Sequence, residues 1–271
     1  MTGALFACDL DRTLIYSANA LLLGTDDSAA PALVVCEVYR GVPISFMTRR
    51  AETLLARLAQ INEAVTDDFV PVTTRTVAQF ERVHLGATPR YAITTNGGVL
   101  LHDGAVDYDW RSRVSFALEE RSAPLVEVES LLLDPAVAPF VLRVHRAEQL
   151  FVYAIVDREI IPETWLNDFS ARCRELGWTV SLQGRKLYAV PVAVTKAAAV
   201  AELRRRLGVS TVIAAGDSVL DRGMLGDADI AFRPAHGELE DGGYSAPNLT
   251  VTDARGVLAG EEILERMTAA R

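Results

Sequence analysis

The chain has 271 residues, 50% of them hydrophobic, with 36 acidic against 27 basic side chains and a net charge of −9. That length and composition suit a substantial apolar core, in one large domain or a core with a second module, and exclude wholesale disorder. An acid excess also excludes a general binder of the nucleic-acid backbone, so an anionic substrate would have to meet a local cluster of cations.

Residues 4–8 (ALFAC) form a short continuous apolar run, the pattern of a strand buried on both faces. Asp9-Leu10-Asp11-Arg12-Thr13 follows directly. Residues 32–47 read as a hairpin turning at Arg40-Gly41, with Thr48 as the N-cap of a helix beginning at Arg49. In that helix Leu54, Leu55, Leu58 and Ile61 share one face. Further strands are predicted at 69–72, 91–94 and 211–215. Val77, Phe80 and Val83 mark a helix between the first two, and residues 197–207 mark another before the third. Strands alternating with helices imply a parallel sheet covered on both faces, with ligands beyond the carboxyl ends of its strands.

The middle of the chain has a different texture. Two helical stretches from about residue 112 lead to strands at 140–146 and 150–156, the latter with Phe151, Tyr153 and Ile155 on one face. A helix over 163–176 and a strand over 178–183 complete an α+β module. The predicted organisation is a Rossmann-like parallel-sheet core, residues 1–110 and 186–271, with an inserted α+β domain at 111–185. Cys8, Cys36 and Cys173 lack paired spacing and read as small buried hydrophobes in a reducing compartment. No apolar run approaches membrane-spanning length, and no basic region precedes the first apolar stretch. The chain is expected to be cytoplasmic, with no membrane and no nucleic-acid partner.

Two carboxylates two residues apart at a strand tip can act as nucleophile and metal ligand. Asp-x-Asp-x-Thr/Ser arises by chance in about one chain in ten of this length, so context must decide. Residues 213–221 (IAAGDSVLD) supply it: a second apolar strand ends in Gly216-Asp217-Ser218, with Asp221 one turn on. Asp217 would enter the same crevice as Asp9 and Asp11, a set of oxygen ligands suited to Mg²⁺, and either Asp217 or Ser218 would also serve as a helix cap. A phosphoryl group in transfer needs cations and hydroxyl donors as well. Lys196, at a helix start, answers the first need, and Thr48, Thr73 and Thr74, at strand ends, are candidates for the second.

These four segments, in this order, resemble the motifs of the haloacid dehalogenase (HAD) superfamily phosphatases. DLDRTL is similar to the first motif, VPVTTRT to the second, Lys196 to the third and GDSVLD to the fourth. The resemblance places Thr73 at the hydroxyl position, Arg75 at the arginine and Asn96 of YAITTNGG at the asparagine. Thr74 stands where the family has glycine, so both hydroxyls remain candidates for contact with phosphate. The insertion resembles the type-2 cap of sucrose-phosphate and mannosyl-3-phosphoglycerate phosphatases, and the 32–47 hairpin, longer than usual, would act as a flap.

The resemblance implies a Mg²⁺-dependent phosphomonoesterase acting on a small phosphorylated metabolite, a sugar phosphate or a relative. Asp9 would be the nucleophile and Asp11 the acid and base, with Thr73 and Lys196 stabilising charge. Asp9, Asp11 through its carbonyl, Asp217 and Asp221 would serve the metal. Thr74, Arg75, Asn96, Arg185 and Lys186 would bind substrate, the last two where the cap returns to the core; Arg143 is a weaker candidate. Tyr153 and Trp178 would line a pocket or belong to the core, and His236 alone of the four histidines stands near a strand end. A phosphomutase of the same superfamily and a catalytically silent sugar-phosphate-binding regulatory protein are the alternatives.

Overall fold

The computed structural model describes residues 3–24, 26–59 and 67–270. It divides into two compact units, Met1–Val106 with Lys196–Arg271, and Asp107–Thr195. In the first unit, strand β1 (Ala4–Cys8) is followed by the hairpin β2 (Leu33–Tyr39) and β3 (Val42–Thr48), then helix α1 (Arg49–Leu58), β4 (Asp68–Pro71) and helix α2 (Val77–Phe80). Strands β5 (Tyr91–Thr94), β6 (Val99–His102) and β7 (Ala105–Val106) end its first segment. The second unit runs α3 (Tyr108–Arg121), α4 (Leu125–Leu132), β8 (Val141–Ala147), β9 (Phe151–Val156), α5 (Glu163–Glu175), β10 (Trp178–Gln183) and β11 (Lys186–Pro191). The chain then returns as α6 (Lys196–Leu207), β12 (Thr211–Ala215), α7 (Arg222–Asp227), β13 (Ile230–Arg233), α8 (Glu238–Asp241), β14 (Leu249–Val251) and α9 (Val257–Ala269).

The main sheet has the order β14-β13-β12-β1-β4 and is parallel throughout. Strand β1 lies inside it, and all five of its residues are buried, as a continuous apolar run requires. Ala4, Phe6 and Cys8 join a cluster with Leu55 of α1, Phe69 of β4 and Ile263, Leu264 and Met267 of α9. Leu5 and Ala7, pointing the other way, are equally buried. Full burial of side chains such as Phe6 or Leu5 contributes about 1.5–3 kcal/mol each. The three cysteines are free and buried, in keeping with their reading as apolar residues.

Several expectations change. Residues 91–94 form a strand outside the main sheet; β5 heads an antiparallel set with β6 and β7 and touches β4's exit through a single parallel bridge, Val72 to Ile93. Helix α2 is one turn long, and Val83 leaves it to bridge Glu37 of the hairpin. Thr48 caps α1 as expected, accepting the Ala51 N–H, whereas Ile61 lies outside the described residues.

The second unit holds a four-stranded antiparallel sheet of order β10-β11-β9-β8. Residues 186–191, expected in the core, form a strand paired on both sides within this sheet. The chain therefore leaves the first unit at 106 and re-enters it at 196 rather than at 110 and 186. Along β9, Val152, Ala154 and Val156 are fully buried while Tyr153 and Ile155 are half-buried, so the expected alternation is present.

Candidate active site

Three parallel strands end side by side. Cys8 is in register with Ala215 and with Pro71, so the residues just beyond all three tips gather at one sheet end. The Asp9 N–H donates to Ala215 O and the Val72 N–H to Cys8 O, which carries the ladder one residue past the strands. Asp9, Thr73 and Asp217 are thereby drawn to one place by backbone pairing alone.

Lys196, the first residue of α6, reaches into this crevice and is 1% exposed. Its Nζ lies 2.6 Å from Asp9 Oδ1 and 2.6 Å from Asp221 Oδ1. Burial opposes the charge of Lys196, but the Asp221 and Asp9 carboxylates outweigh it and push its pKa up. Asp9 Oδ2 accepts the Thr13 hydroxyl at 3.1 Å. Asp221 Oδ2 accepts from the N–H groups of Asp217 and Ser218 and from the Ser218 hydroxyl. Asp221 is thus committed to holding Lys196 and the 217–218 turn. Gly216 makes this possible, because a Cβ there would fall 2.4 Å from the Asp221 side chain.

Asp9, Asp217 and Asp221 are all buried, and each offers an oxygen within 4.8 Å of the others. Burial, opposed by Lys196, pushes the Asp9 carboxyl up to about 7. Burial, with Asp9 and Asp221 adding repulsion, also raises Asp217 well above the usual carboxylate range. Crowded, buried, all-oxygen donors of this kind fit a hard divalent cation. Two further contacts hold Asp217. Arg12, at φ +65°, places Nε 3.4 Å from Asp217 Oδ2, and Gly237, at φ +98°, packs so closely that a Cβ would fall 2.6 Å from that oxygen. His236 fixes this corner: its Nδ1 accepts the Gly256 N–H, so Nε2 donates to the Arg12 carbonyl at 2.9 Å.

The Asp11 carboxylate stands outside that acidic cluster. Arg75 grips it bidentately, Nε to Oδ2 at 2.7 Å and Nη2 to Oδ1 at 2.8 Å. The loop carrying Arg75 is tied to the turn after β5. Thr73 N–H donates to Ile93 O, Thr95 N–H to Arg75 O, and Asn96 N–H to Thr73 O. Asn96, in the left-handed region at φ 56°, is 2% exposed beside Thr73. Thr73 is fully buried and its oxygen accepts the Arg75 N–H, which leaves the hydroxyl proton free to point elsewhere; Thr74 is 8% exposed.

Two expected substrate residues belong to the other unit. Arg185 sits in the turn joining β10 to β11, and Lys186 opens β11 opposite Gln183. Neither lies at a return to the core, because β11 continues the second unit. Arg143 is exposed on β8. Trp178 is 2% exposed and donates to Ala123 O, so it is a core residue, while Tyr153 stacks on His145 and meets the Tyr188 ring at a tilt. Sequence reasoning missed Glu37 and Arg82, which belong to no motif, and the role of Arg12, which lies inside DLDRTL but was given no part there. His102 stacks on Tyr91 and pairs with Asp103.

No family model matches the chain, and no curated protein matches it by sequence. Solved structures do match along its length. The sucrose-phosphatase of Synechocystis sp. PCC6803, solved with sucrose and phosphate, superposes with a TM-score of 0.67 at 16% identity, over 99% of this chain and 98% of that one. The HAD subclass IIB sugar phosphatase BT4131 gives 0.56 at 14% over 99% of each chain. The C-terminal domain of C. albicans trehalose-6-phosphate phosphatase gives 0.57 at 12%, over 100% and 94%. The fold is that of the HAD superfamily phosphatases, a parallel-sheet core with an inserted α+β unit.

Proposed function

We propose that this HAD-fold chain is a metal-dependent phosphomonoesterase that cleaves a small phosphorylated metabolite, a sugar phosphate or a close relative, through an aspartyl-phosphate on Asp9. The observation that carries the reading is the buried Asp9–Lys196–Asp221 triad beside Asp217 at the carboxyl end of the sheet. Mg²⁺, held by the Asp9 and Asp217 carboxylates and the Asp11 carbonyl, would neutralise phosphate charge.

In the first step an Asp9 carboxylate oxygen attacks phosphorus, and the bond to the alkyl oxygen breaks as Asp11, in its acid form, gives that oxygen a proton. In the second, the Asp11 carboxylate takes a proton from water and the resulting oxygen attacks phosphorus. The bond to Asp9 then breaks, its electron pair returning to the carboxylate. Lys196 and the Thr73 hydroxyl stabilise the phosphoryl oxygens, with Thr74 as the alternative donor. Asp221 keeps Lys196 in place. The turn carrying Asn96, whose N–H donates to the Thr73 carbonyl, would steady the loop that presents the Thr73 hydroxyl.

A panel of sugar phosphates, phosphoglycerate derivatives and nucleotides, assayed for phosphate release with Mg²⁺ and with chelator, tests the reading. Release that is absent from the whole panel, or equal with chelator, would refute it. An isomeric product with little free phosphate would indicate a phosphomutase.

The metal also has a pH signature. Asp9 and Asp217 have raised values in the folded, metal-free protein, so between about pH 4 and pH 7 the folded state holds protons that the unfolded chain has released. Metal-free stability therefore falls as pH rises through that window. Mg²⁺ binds the ionised carboxylates, so the stabilisation it adds should grow over the same range. Unfolding temperatures measured with Mg²⁺ and with chelator from pH 5 to pH 8 should diverge; a constant gap would contradict the assignment.

A further inference from the structure

We infer that Glu37 is a positioning residue for catalysis: from the hairpin it holds Arg75, and through Arg75 it fixes the Asp11 carboxylate. The inference rests on the phosphatase reading above. Strand β2 should alternate buried and exposed residues, but its register with β3 shifts on both sides of Glu37. The shift turns Cys36 and Glu37 inward together, at 0% and 1% exposure, between exposed Val35 and Val38. Such irregularities re-aim single side chains. Here the re-aimed side chain is a carboxylate, which is costly to bury unless fully paired.

The pairing is complete. Glu37 Oε2 accepts from Arg75 Nη1 at 2.6 Å and Oε1 from Arg82 Nε at 3.0 Å. Arg82 is itself steadied by the Tyr39 ring 5.0 Å away and by the Ala78 carbonyl. The hairpin backbone is anchored to the same segment, with the His84 N–H donating to Cys36 O at 2.7 Å. Arg75 is therefore held at both ends. Its Nη1 goes to Glu37 and its Nε–Nη2 edge goes to Asp11, a planar fork that sets the carboxylate's plane as well as its position. Burial works against the Arg75 charge, yet Asp11 and Glu37 overcome it and push its pKa up. A buried chain of ion pairs carries position from one end to the other only while every link is satisfied.

The consequence is specific to the step that uses Asp11. With p-nitrophenyl phosphate the leaving phenolate needs no proton, so phosphoryl transfer to Asp9 proceeds without Asp11. Hydrolysis of the aspartyl-phosphate still needs Asp11 to take the proton of water. Glu37→Gln should accordingly lower kcat about 10- to 100-fold and KM in proportion, so that kcat/KM changes less than about threefold. Rapid mixing should show a burst of p-nitrophenolate approaching one per active site before the slow steady state. Glu37→Asp, which keeps the charge and shortens the reach, should show the same burst with a smaller loss of kcat. It also supplies the test if the glutamine variant does not fold.

Loss of kcat and kcat/KM together, without a burst, would overturn the assignment, since general damage or a direct phosphate contact by Arg75 predicts that pattern. Unchanged kcat in both variants would overturn it too. A wild-type chain that releases no p-nitrophenolate or phosphate from any substrate would defeat the phosphatase reading itself, a distinct outcome.

Discussion

Asp9→Asn is expected to abolish phosphate release, by about 10³-fold or more, while leaving the chain folded. Removing a covalent nucleophile costs an enzyme nearly all of its rate, and the asparagine amide cannot form the acyl phosphate. The structural side of the expectation is as definite. Asp9 is buried, and burial is the largest influence on its carboxyl, raising it to about 7. A neutral group of the same shape relieves that desolvation and the repulsion from Asp221, and Lys196 retains its 2.6 Å contact with Asp221. The unfolding temperature of the metal-free variant should therefore equal or exceed that of the wild type near pH 7. Phosphate-release assays, intact-mass detection of a phosphorylated chain and thermal unfolding check the three parts. A variant that keeps substantial turnover would remove Asp9 from its role and the mechanism with it.

Lys196→Met should behave in the opposite way, losing stability as well as activity. The ammonium is 1% exposed and bridges two buried carboxylates. Removing one member of a buried ion cluster leaves the others uncompensated, at a cost of about 3–5 kcal/mol. The cost should deepen as pH rises from 5 to 8, because Asp9 can escape it only by taking up a proton. Turnover should fall by roughly 10²–10³-fold, the scale on which a group stabilising transition-state charge is lost. Denaturant unfolding at several pH values, read beside phosphate release, checks both parts. A variant as stable as the wild type at pH 8 would mean that the carboxylates are held by something other than Lys196.

The two substitutions separate what the proposed nucleophile and its counter-ion do in one crevice. Along the ion pairs of the site, five carboxylates (Asp9, Asp11, Glu37, Asp217, Asp221) face four cations (Arg12, Arg75, Arg82, Lys196). Counted with every carboxylate ionised, the metal-free site is nearly balanced and slightly acidic, in a chain whose net charge is −9, and the protons that Asp9 and Asp217 retain reduce that excess. A divalent cation would tip it positive, which is how an acidic protein can receive an anionic substrate.

Much of this was legible in the amino-acid order. Apolar runs at 4–8 and 211–215 announced buried parallel strands because a strand covered on both faces has no polar side to show. Asp9 and Asp217 follow those runs directly, so their convergence needed only the rule that neighbouring parallel strands end together. Thr48 as a helix cap was equally local. Residues 91–94 misled for the same physical reason that made the others clear: a short buried run such as Tyr91-Ala92-Ile93-Thr94 looks alike in a parallel sheet and in a small antiparallel one. The boundary at 186 failed because an inner strand of the second unit carries the same apolar signature as a core strand.

What the sequence determined by itself was the part governed by local rules. The element types, the strand tips and the identity of Asp9, Lys196, Asp217 and Asp221 all follow from residues adjacent in the chain. Only the tertiary structure decided how those groups pair. It gave Asp11 to Arg75 rather than to the acidic cluster, gave Asp221 to Lys196, and turned Glu37 inward through an irregularity in β2 that no residue pattern marks. Ion pairs join side chains 25 to 205 positions apart here, from Lys196–Asp221 to Arg12–Asp217. Their partners are chosen by desolvation, which makes an unpaired charge intolerable in the interior, and that pressure exists only once the chain has closed around them.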